Sequence, residues 1–250
     1  MSPWDALAIA LAGFGAGAMN AVGGSGTLLT FPTVVAVGYP PLLANVSNTV
    51  GLVPGSAAAV WGLRAELKGQ LDRIRRLAGA SACGALAGAI LLLTLPSEAF
   101  DAIVPALIAL AVILVLVQPR LTAAITKRRV LHPGHGGAGL FVACGLVGIY
   151  GGYFGAAQGV LLIALLAVFL DDSLHRLNGT KNVLALTANL VAAMLFIAIE
   201  DIDWAIAGLI AGGSVVGGLL GAKLARKLPP VALRSIIVVI GTLAIVRLLA

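Results

Sequence analysis

Charged residues divide the chain into apolar windows whose lengths predict membrane-spanning helices. A helix needs roughly 20 apolar residues to cross the hydrocarbon core of a bilayer, which is about 30 Å thick. Four windows without Asp, Glu, Lys or Arg come close to this length, and they lie between residues 76 and 98, 101 and 120, 181 and 200, and 203 and 223. A fifth, from about residue 232 to 249, contains Arg234 near its start and Arg247 near its end. We interpret all five as membrane helices.

Two further charge-free windows are too long for a single crossing. They run from residue 6 to 63 and from residue 136 to 170. At 1.5 Å per residue the second alone would form a helix of about 52 Å. Glycine interrupts both windows, at residues 23–26 and at residues 151–159. A break at membrane depth survives only where protein or a water-lined cavity satisfies the freed backbone groups. Each window therefore predicts two short helices joined by a glycine-rich break inside the protein.

The two halves of the chain repeat each other at an offset of 133 residues. This offset aligns an Asn, a Ser and a Pro with their own kind, together with glycines on both sides. The aligned pairs are Asn45 with Asn178, Ser81 with Ser214, Pro96 with Pro229, Gly15 with Gly148, Gly26 with Gly159, Gly84 with Gly217, and Gly88 with Gly221. A bias towards Ala, Gly and Leu would scatter identities over all offsets. The pattern indicates an internal duplication.

The distribution of basic residues predicts how the two repeats are oriented. Lys and Arg concentrate in cytoplasmic loops. Basic clusters occupy residues 64–76, 120–129, 176–181 and 223–234, whereas the turn at residues 200–203 carries three acidic residues and no basic one. One arrangement places all the basic clusters inside: five helical segments per repeat, the first two short, and both termini outside. An odd number of segments turns the second repeat over, so we predict inverted repeats.

The predicted fold is therefore an all-α polytopic membrane protein. It contains repeat 1 at residues 1–118, a basic cytoplasmic linker at residues 119–136, and repeat 2 at residues 137–250. The ten predicted helices cover residues 4–20, 26–37, 43–63, 76–95, 98–117, 138–152, 159–170, 177–199, 204–224 and 231–249. Whether each short pair crosses the bilayer or dips in and returns is left open.

Composition excludes several classes of protein. Hydrophobic residues make up 60% of the 250 residues and charged residues 10%, whereas soluble domains have about 45–50% and about 25%. This excludes a water-soluble enzyme, a disordered protein and a nucleic-acid-binding module, and the net charge of +6 belongs to membrane topology. The 32 glycines include pairs four residues apart, such as Gly84 with Gly88 and Gly217 with Gly221, which we interpret as helix-packing surfaces.

Short polar side chains cluster at four helix starts next to the breaks. Inverted repeats with broken helices are an architecture of secondary transporters, which bind substrate where the repeats meet. Helix N-termini attract anions, and Asn, Ser and Thr side chains donate hydrogen bonds to oxyanions. The predicted substrate-binding residues are Asn20, Ser25, Gly26, Asn45, Ser47, Asn48, Thr49, Tyr153, Gln158, Gly159, Asn178, Thr180, Lys181 and Asn182.

Some of these side chains also have a purely structural interpretation. The hydroxyls of Ser47 and Thr49, like that of Ser56, can bond a carbonyl one turn back in their own helix. Asn45 and Asn178 either line the pathway or cap the broken helices. The Lys181 side chain either faces an anion in the cavity or extends to the inner membrane surface. The sequence leaves each of these pairs open.

The sequence contains no catalytic or metal-binding constellation. His132, His135 and His175 lie in predicted loops without carboxylates at ligand spacing, and the Lys-Ser/Thr ending of a phosphate-binding loop is missing. We therefore expect no enzymatic activity, no cofactor, no metal and no ATP-driven step.

The breaks and their polar surroundings resemble those of the TauE/SafE family of membrane permeases. The resemblance rests on residues 20–26 and 153–159, on Pro32 after the first break, and on the small polar residues 45–49 and 178–182. It extends over nearly the whole chain. The second break, with Ala156, Ala157 and Gln158, contains less glycine than is typical of the family. The resemblance implies a permease for sulfite, sulfonates or other small sulfur-containing anions.

The sequence therefore predicts a secondary permease that moves a small anion, sulfite or another sulfur-containing oxyanion or organosulfonate, across the plasma membrane by alternating access. Alternatives are an anion channel of the same fold and a non-transporting membrane scaffold. The expected partners are the small anion and the lipid bilayer, with no nucleic acid, and a homo-oligomer is left open.

Overall fold

The protein is all-helical in the parts that the structure, a computed structural model, describes: residues 1–127, 136–224 and 230–249. Ten helices lie in these ranges. They are α1 (Pro3–Val22), α2 (Thr27–Ala36), α3 (Pro41–Gly62), α4 (Leu71–Thr94), α5 (Ser97–Lys127), α6 (Gly137–Tyr153), α7 (Gln158–Phe169), α8 (Leu174–Ile199), α9 (Trp204–Leu224) and α10 (Pro230–Leu249). The prediction of an all-α membrane protein with ten helical segments is confirmed.

Five of the described helices are long and apolar enough to cross a membrane, and they are α1, α4, α5, α8 and α9. The pairs α1–α2 and α6–α7 are joined by short non-helical segments at residues 23–26, the first break, and residues 154–157, the second break. Because α2, α6 and α7 have only 10, 17 and 12 residues, each predicted window indeed forms a broken helix pair.

Two helices are longer than predicted. Helix α4 begins at Leu71 rather than residue 76, since its first turns contain Arg73 and Arg75, which favour helix and can extend their charges to water. Helix α5 continues to Lys127 instead of ending at residue 117, because Pro119 removes one backbone hydrogen bond without ending the helix. The first part of the predicted linker is therefore helical. Parts of two predicted basic clusters (Arg128, Arg129, Arg226 and Lys227) and two of the loop histidines (His132 and His135) lie outside the described residues.

Equivalent hydrogen bonds recur in the two halves. The Ser81 hydroxyl donates to the Leu184 carbonyl oxygen at 3.1 Å, and the Ser214 hydroxyl donates to the Gly51 carbonyl oxygen at 3.3 Å. Both members of this pair of bonds differ by the same 133 residues as the sequence repeat. The halves also interlock, because α1 packs on α9 and α6 packs on α4. The first helix of each half is therefore held by the fourth helix of the other half.

The interlocked helices touch through glycine. A Cβ added to Gly84 would lie 2.9 Å from the Ile149 nitrogen on α6, and one added to Gly217 would lie 2.8 Å from the carbonyl carbon of Phe14 on α1. Such distances leave no room for a side chain, so backbones pack directly on each other. The packing interpretation of these glycines is confirmed.

The sequence alignment of the broken helices needs a shift of two residues. Gly17 approaches the Ser214 carbonyl just as Gly148 approaches the Ser81 carbonyl, so Gly17, rather than Gly15, is the structural counterpart of Gly148. The offset is 131 residues in the broken pairs and 133 in the third and fourth helices. The reason is that α7 has 12 residues and α2 has 10.

Glycine packing gives a stability prediction with a control on the same helix. Gly88 lies against α6, where an added Cβ would be 2.8 Å from the Ile149 carbonyl carbon, whereas nothing lies within 4 Å of a Cβ at Gly79. Overpacking costs about 1–3 kcal/mol or more, and 1 kcal/mol lowers Tm by about 2–4 °C in a chain of this size. We expect Gly88→Ala to lower the Tm of the purified protein by more than about 5 °C. Gly79→Ala should leave Tm within about 2 °C of the parent value, and equal Tm values for the two variants would contradict this packing.

Candidate functional site

The two breaks meet inside the protein. The backbone N–H of Gly159, near the start of α7, donates to the Gly24 carbonyl oxygen of the first break at 3.2 Å. Gly24 has φ +77°, a left-handed conformation that favours glycine. A Cβ added to Gly159 would lie 2.5 Å from the Gly24 Cα, so the contact also requires glycine. Two helix ends (α1 and α6) and two helix starts (α2 and α7) therefore converge at one point.

Side chains from the opposite half satisfy the carbonyls freed at the breaks. The Asn45 amide donates to the Tyr153 carbonyl oxygen at the end of α6, at 3.1 Å. The Asn178 amide donates to the Ala21 carbonyl oxygen at the end of α1, at 2.9 Å, and the Asn182 amide donates to the same oxygen at 3.3 Å. The structure therefore uses the paired Asn residues as caps of the broken helices. The Oδ1 atoms of Asn45 and Asn178 are buried and lack a partner among the described residues.

Lys181 is a buried cation at the meeting point of the breaks. Its side chain is 1% exposed, and its ammonium donates to the Asn20 carbonyl oxygen at 2.9 Å. Within the described ranges no carboxylate pairs with it. The side chain thus does not extend to the membrane surface. Because an isolated buried charge is costly, this ammonium is poised to bind an anion.

A small polar cavity lies beside Lys181. Its volume is about 20 Å³, which is room for about one water molecule. Side chains and backbone from α1, α2, α3, α7, α8 and both breaks surround it. The lining residues are Asn20, Gly24, Thr27, Ser56, Gly155, Gln158, Gly159, Lys181, Asn182, Ala185 and Asn189.

The cavity lies on the axis that relates the two halves. Thr27 and Gln158 are the first residues of α2 and α7, and they are 131 residues apart, as in the broken pairs. Ser56 and Asn189 face the cavity from α3 and α8 and are 133 residues apart. Lys181 breaks this symmetry, because its counterpart at the same offset is the neutral Asn48. Equivalent positions from both halves therefore enclose one site that carries a single asymmetric charge.

The predicted substrate-binding residues divide into those at the cavity and those around it. Five of them line it: Asn20, Gln158, Gly159, Lys181 and Asn182. Ser25 and Gly26 belong to the first break, where the Gly26 N–H donates to the Asn20 Oδ1 at 2.8 Å, and Tyr153 ends α6 directly before the second break.

The remaining predicted residues hold helices together in this conformation. The Ser47 hydroxyl accepts from the Asp203 N–H at 3.0 Å, before α9 begins, and the Thr180 hydroxyl donates to Gln70 at 3.0 Å, before α4 begins. The Thr49 hydroxyl donates to the Asn45 carbonyl oxygen one turn back at 2.9 Å, as in the structural interpretation. Asn48 accepts from the Thr30 hydroxyl. These four side chains, together with Asn45 and Asn178, lie outside the cavity lining.

Sequence reasoning missed three polar cavity residues. Thr27 follows the first break directly, and Ser56 and Asn189 lie two to three turns beyond the polar clusters of α3 and α8. The available signal was their spacing, because Ser56 and Asn189 are a polar pair at the repeat offset of 133. Both face inwards from helices that cross at the axis, which the sequence does not show.

A charged cluster ties α4 to the start of α8. Asp172 accepts from Arg73 at 2.7 Å and from Arg176 at 2.9 Å. Burial raises the pKa of the Asp172 carboxyl, but hydrogen bonds from Arg73, the Ser173 N–H and Arg176 outweigh burial and hold that pKa below its ordinary value. The counterparts of Arg73 and Arg176 in the other half are Ile206 and Leu43. This cluster therefore belongs to one half alone.

The Asp172 cluster predicts acid sensitivity. A carboxyl whose folded pKa lies below its ordinary value stabilises the fold above that ordinary value, and the contribution is lost as pH falls through the folded value. We expect Asp172→Asn to lower Tm by about 2–6 °C at neutral pH. The difference from the parent protein should shrink as pH falls below the ordinary Asp range, and a constant difference across this range would contradict the prediction. Exposed Asp201→Asn is the matched control and should not change Tm.

Comparison with known proteins places this geometry in a family. Residues 9–248 match the family described as sulfite exporter TauE/SafE. The chain belongs to the TauE/SafE family. Its similarity to "Probable membrane transporter protein YfcA" of Escherichia coli (strain K12) is 26% identity over 235 residues, covering 94% of this chain and 86% of the relative. The TauE/SafE resemblance noted from the breaks is therefore confirmed.

Two more distant organisms have similar transporters. A "Probable membrane transporter protein" of Haemophilus influenzae is 26% identical over 239 residues, which covers 95% of this chain and 92% of the relative. "Probable membrane transporter protein ORF9" of Sinorhizobium sp is 23% identical over 244 residues, 96% and 90% of the two chains. No solved structure shows significant similarity to the chain. The protein is a multi-pass membrane transporter of the TauE/SafE type.

Proposed function

We propose that this transporter carries a small anion, sulfite or another sulfur-containing oxyanion or organosulfonate, across the plasma membrane. The observation that supports the proposal best is the buried Lys181 ammonium, which faces a polar cavity without a carboxylate partner among the described residues. The amides of Asn20, Gln158 and Asn182 lie around the same cavity and offer N–H donors to oxyanion oxygens. The family description, sulfite exporter, agrees with this chemistry.

Alternating access is the mechanism that the site favours. A cavity of about 20 Å³ is too small for an oxyanion, so its walls must move before a substrate enters. The walls come in equivalent pairs from both halves, which lets the halves exchange their shapes at little cost. The bond between Gly159 and Gly24 joins the two breaks, and it is the contact that we expect to open when either half moves.

Inverted orientation of the repeats is part of this proposal. It predicts that the α3–α4 loop with Lys68 and the α8–α9 turn with Asp201 face opposite sides of the membrane. Both side chains are exposed, so single cysteines there, in a protein without Cys83 and Cys144, should react with a membrane-impermeant maleimide from opposite sides. We expect the cysteine at position 201 to be labelled in intact cells and the cysteine at position 68 only after lysis. Labelling of both in intact cells would contradict inverted repeats.

Anion flux in proteoliposomes tests the proposed function directly. Vesicles with the purified protein should take up radiolabelled sulfite faster than empty vesicles and faster than vesicles with the Lys181→Met variant. A saturable rate below about 10³ per second is expected for a carrier, whereas a much faster, non-saturating flux would favour a channel. Flux equal to that of empty vesicles for sulfite, thiosulfate and simple sulfonates would contradict the proposal.

A further inference from the structure

We infer that the cavity selects singly charged oxyanions, such as a sulfonate or hydrogen sulfite, over doubly charged ones such as sulfate. This inference rests on the proposed function and specifies the charge of the substrate. It depends on the net charge that the protein places around the cavity, which the described residues determine.

Lys181 is the only ionisable residue among the eleven described residues that line the cavity. The nearest charged cluster lies outside it: Arg176 is bonded to Asp172 and to the Lys68 carbonyl oxygen, and Arg73 is bonded to Asp172 and Gln70. Hydrogen-bonded charges at the protein surface contribute little inside a buried site, because solvent screens them. The cavity therefore carries one positive charge.

The helix ends at the site do not change this count. A helix start contributes roughly half a positive charge and a helix end roughly half a negative charge. The starts of α2 and α7 and the ends of α1 and α6 all meet here, so their contributions cancel in pairs. Side chains also bond the freed carbonyls, since Asn45 and Asn178 cap the two helix ends.

A single charge on the ligand neutralises the cavity. A dianion would leave one negative charge uncompensated in a site enclosed by protein, and an uncompensated buried charge is strongly unfavourable. The other donors at the site are neutral. Among them, the Gln158 side chain is buried and its Nε2 has no hydrogen-bond partner among the described residues, so it is free to donate to an oxyanion oxygen. Neutral donors bind oxygen atoms without adding the second positive charge that a dianion requires.

Flux of three tetrahedral anions tests the inference. Methanesulfonate and sulfamate carry one charge and sulfate carries two, while all three place oxygen atoms around sulfur. In proteoliposomes at neutral pH we expect methanesulfonate and sulfamate to move at least about tenfold faster than sulfate, at equal concentration. Sulfamate separates the effect of charge from that of the methyl group. Sulfate flux within about threefold of both monoanions would overturn the charge selection and leave the permease function intact. Absence of flux for all three and for sulfite would instead contradict the permease function.

A charge-gain variant tests the same inference from the protein side. Asn189 lines the cavity two helical turns beyond Lys181, so Asn189→Lys adds a second cation there. We expect the ratio of sulfate to methanesulfonate flux to rise at least about tenfold in this variant. Asn189→Met, which has a similar length and no charge, should keep the parent ratio. If the two variants have equal ratios, the number of cations does not set selectivity and the inference is wrong; if Asn189→Lys does not fold, the flux ratio of the parent protein still decides.

Discussion

Substitution of Lys181 by methionine is expected to reduce anion flux at least about 100-fold while the protein stays folded. The ammonium is buried, bonded to the Asn20 carbonyl oxygen, and without a carboxylate partner in the described structure. Loss of a buried charged partner costs about 3–5 kcal/mol, which corresponds to a factor of more than 100 in binding. Methionine keeps most of the length and packing of the lysine side chain.

The stability of the same variant separates a binding role from a structural one. A buried ammonium without a counter-charge destabilises the empty protein, so its replacement by an apolar side chain of similar volume should leave Tm unchanged or raise it. Flux should fall and the thermal shift caused by substrate should disappear. Lys68→Met removes an exposed lysine from the α3–α4 loop and is the matched control, with unchanged flux expected. A Lys181→Met protein with parent flux, or one whose loss of flux accompanies a loss of Tm, would contradict the binding role.

The architecture was predictable because charge-free windows directly measure helix length in a membrane protein. The windows after Arg76, Lys181 and Asp203 gave helices close to those observed as α4, α8 and α9. The end of α5 was not predictable in the same way. Arg120 ends the apolar window, but a helix can continue into water, and the window reports only the apolar part.

The convergence of the breaks followed from their symmetry, but their contact did not. The sequence aligns Gly26 with Gly159, whereas the structure brings Gly24 against Gly159. Two chains that meet at a symmetry axis need not touch through equivalent residues, and the additional two residues of α7 shift the register further. The same limit applies to Asn45 and Asn178. Their equivalence was evident, but their bonds to the opposite half depend on the packing of α1 on α9 and of α6 on α4.

Substitution of Gly24 by alanine is expected to reduce flux more than about tenfold because it separates the two breaks. Gly24 has φ +77°, where an alanine costs about 1–2 kcal/mol. Its added Cβ would also lie 3.0 Å from the Gly159 carbonyl carbon and closer still to the Gly159 Cα. The breaks must then move apart, which weakens the bond from the Gly159 N–H to the Gly24 carbonyl oxygen. If this contact closes the site during each cycle, the alanine favours conformations in which it is open.

Gly69 provides the control that separates contact from backbone strain. It lies in the α3–α4 loop with φ +74°, and nothing is within 4 Å of a Cβ added there. Gly69→Ala should therefore show the cost of the left-handed backbone alone, with a lower Tm and parent flux. The extra loss of Tm in Gly24→Ala, and its loss of flux, then measure the contact between the breaks. Equal flux and equal Tm in the two variants would show that the breaks can separate freely, and the meeting point of α1, α2, α6 and α7 would not be where transport is controlled.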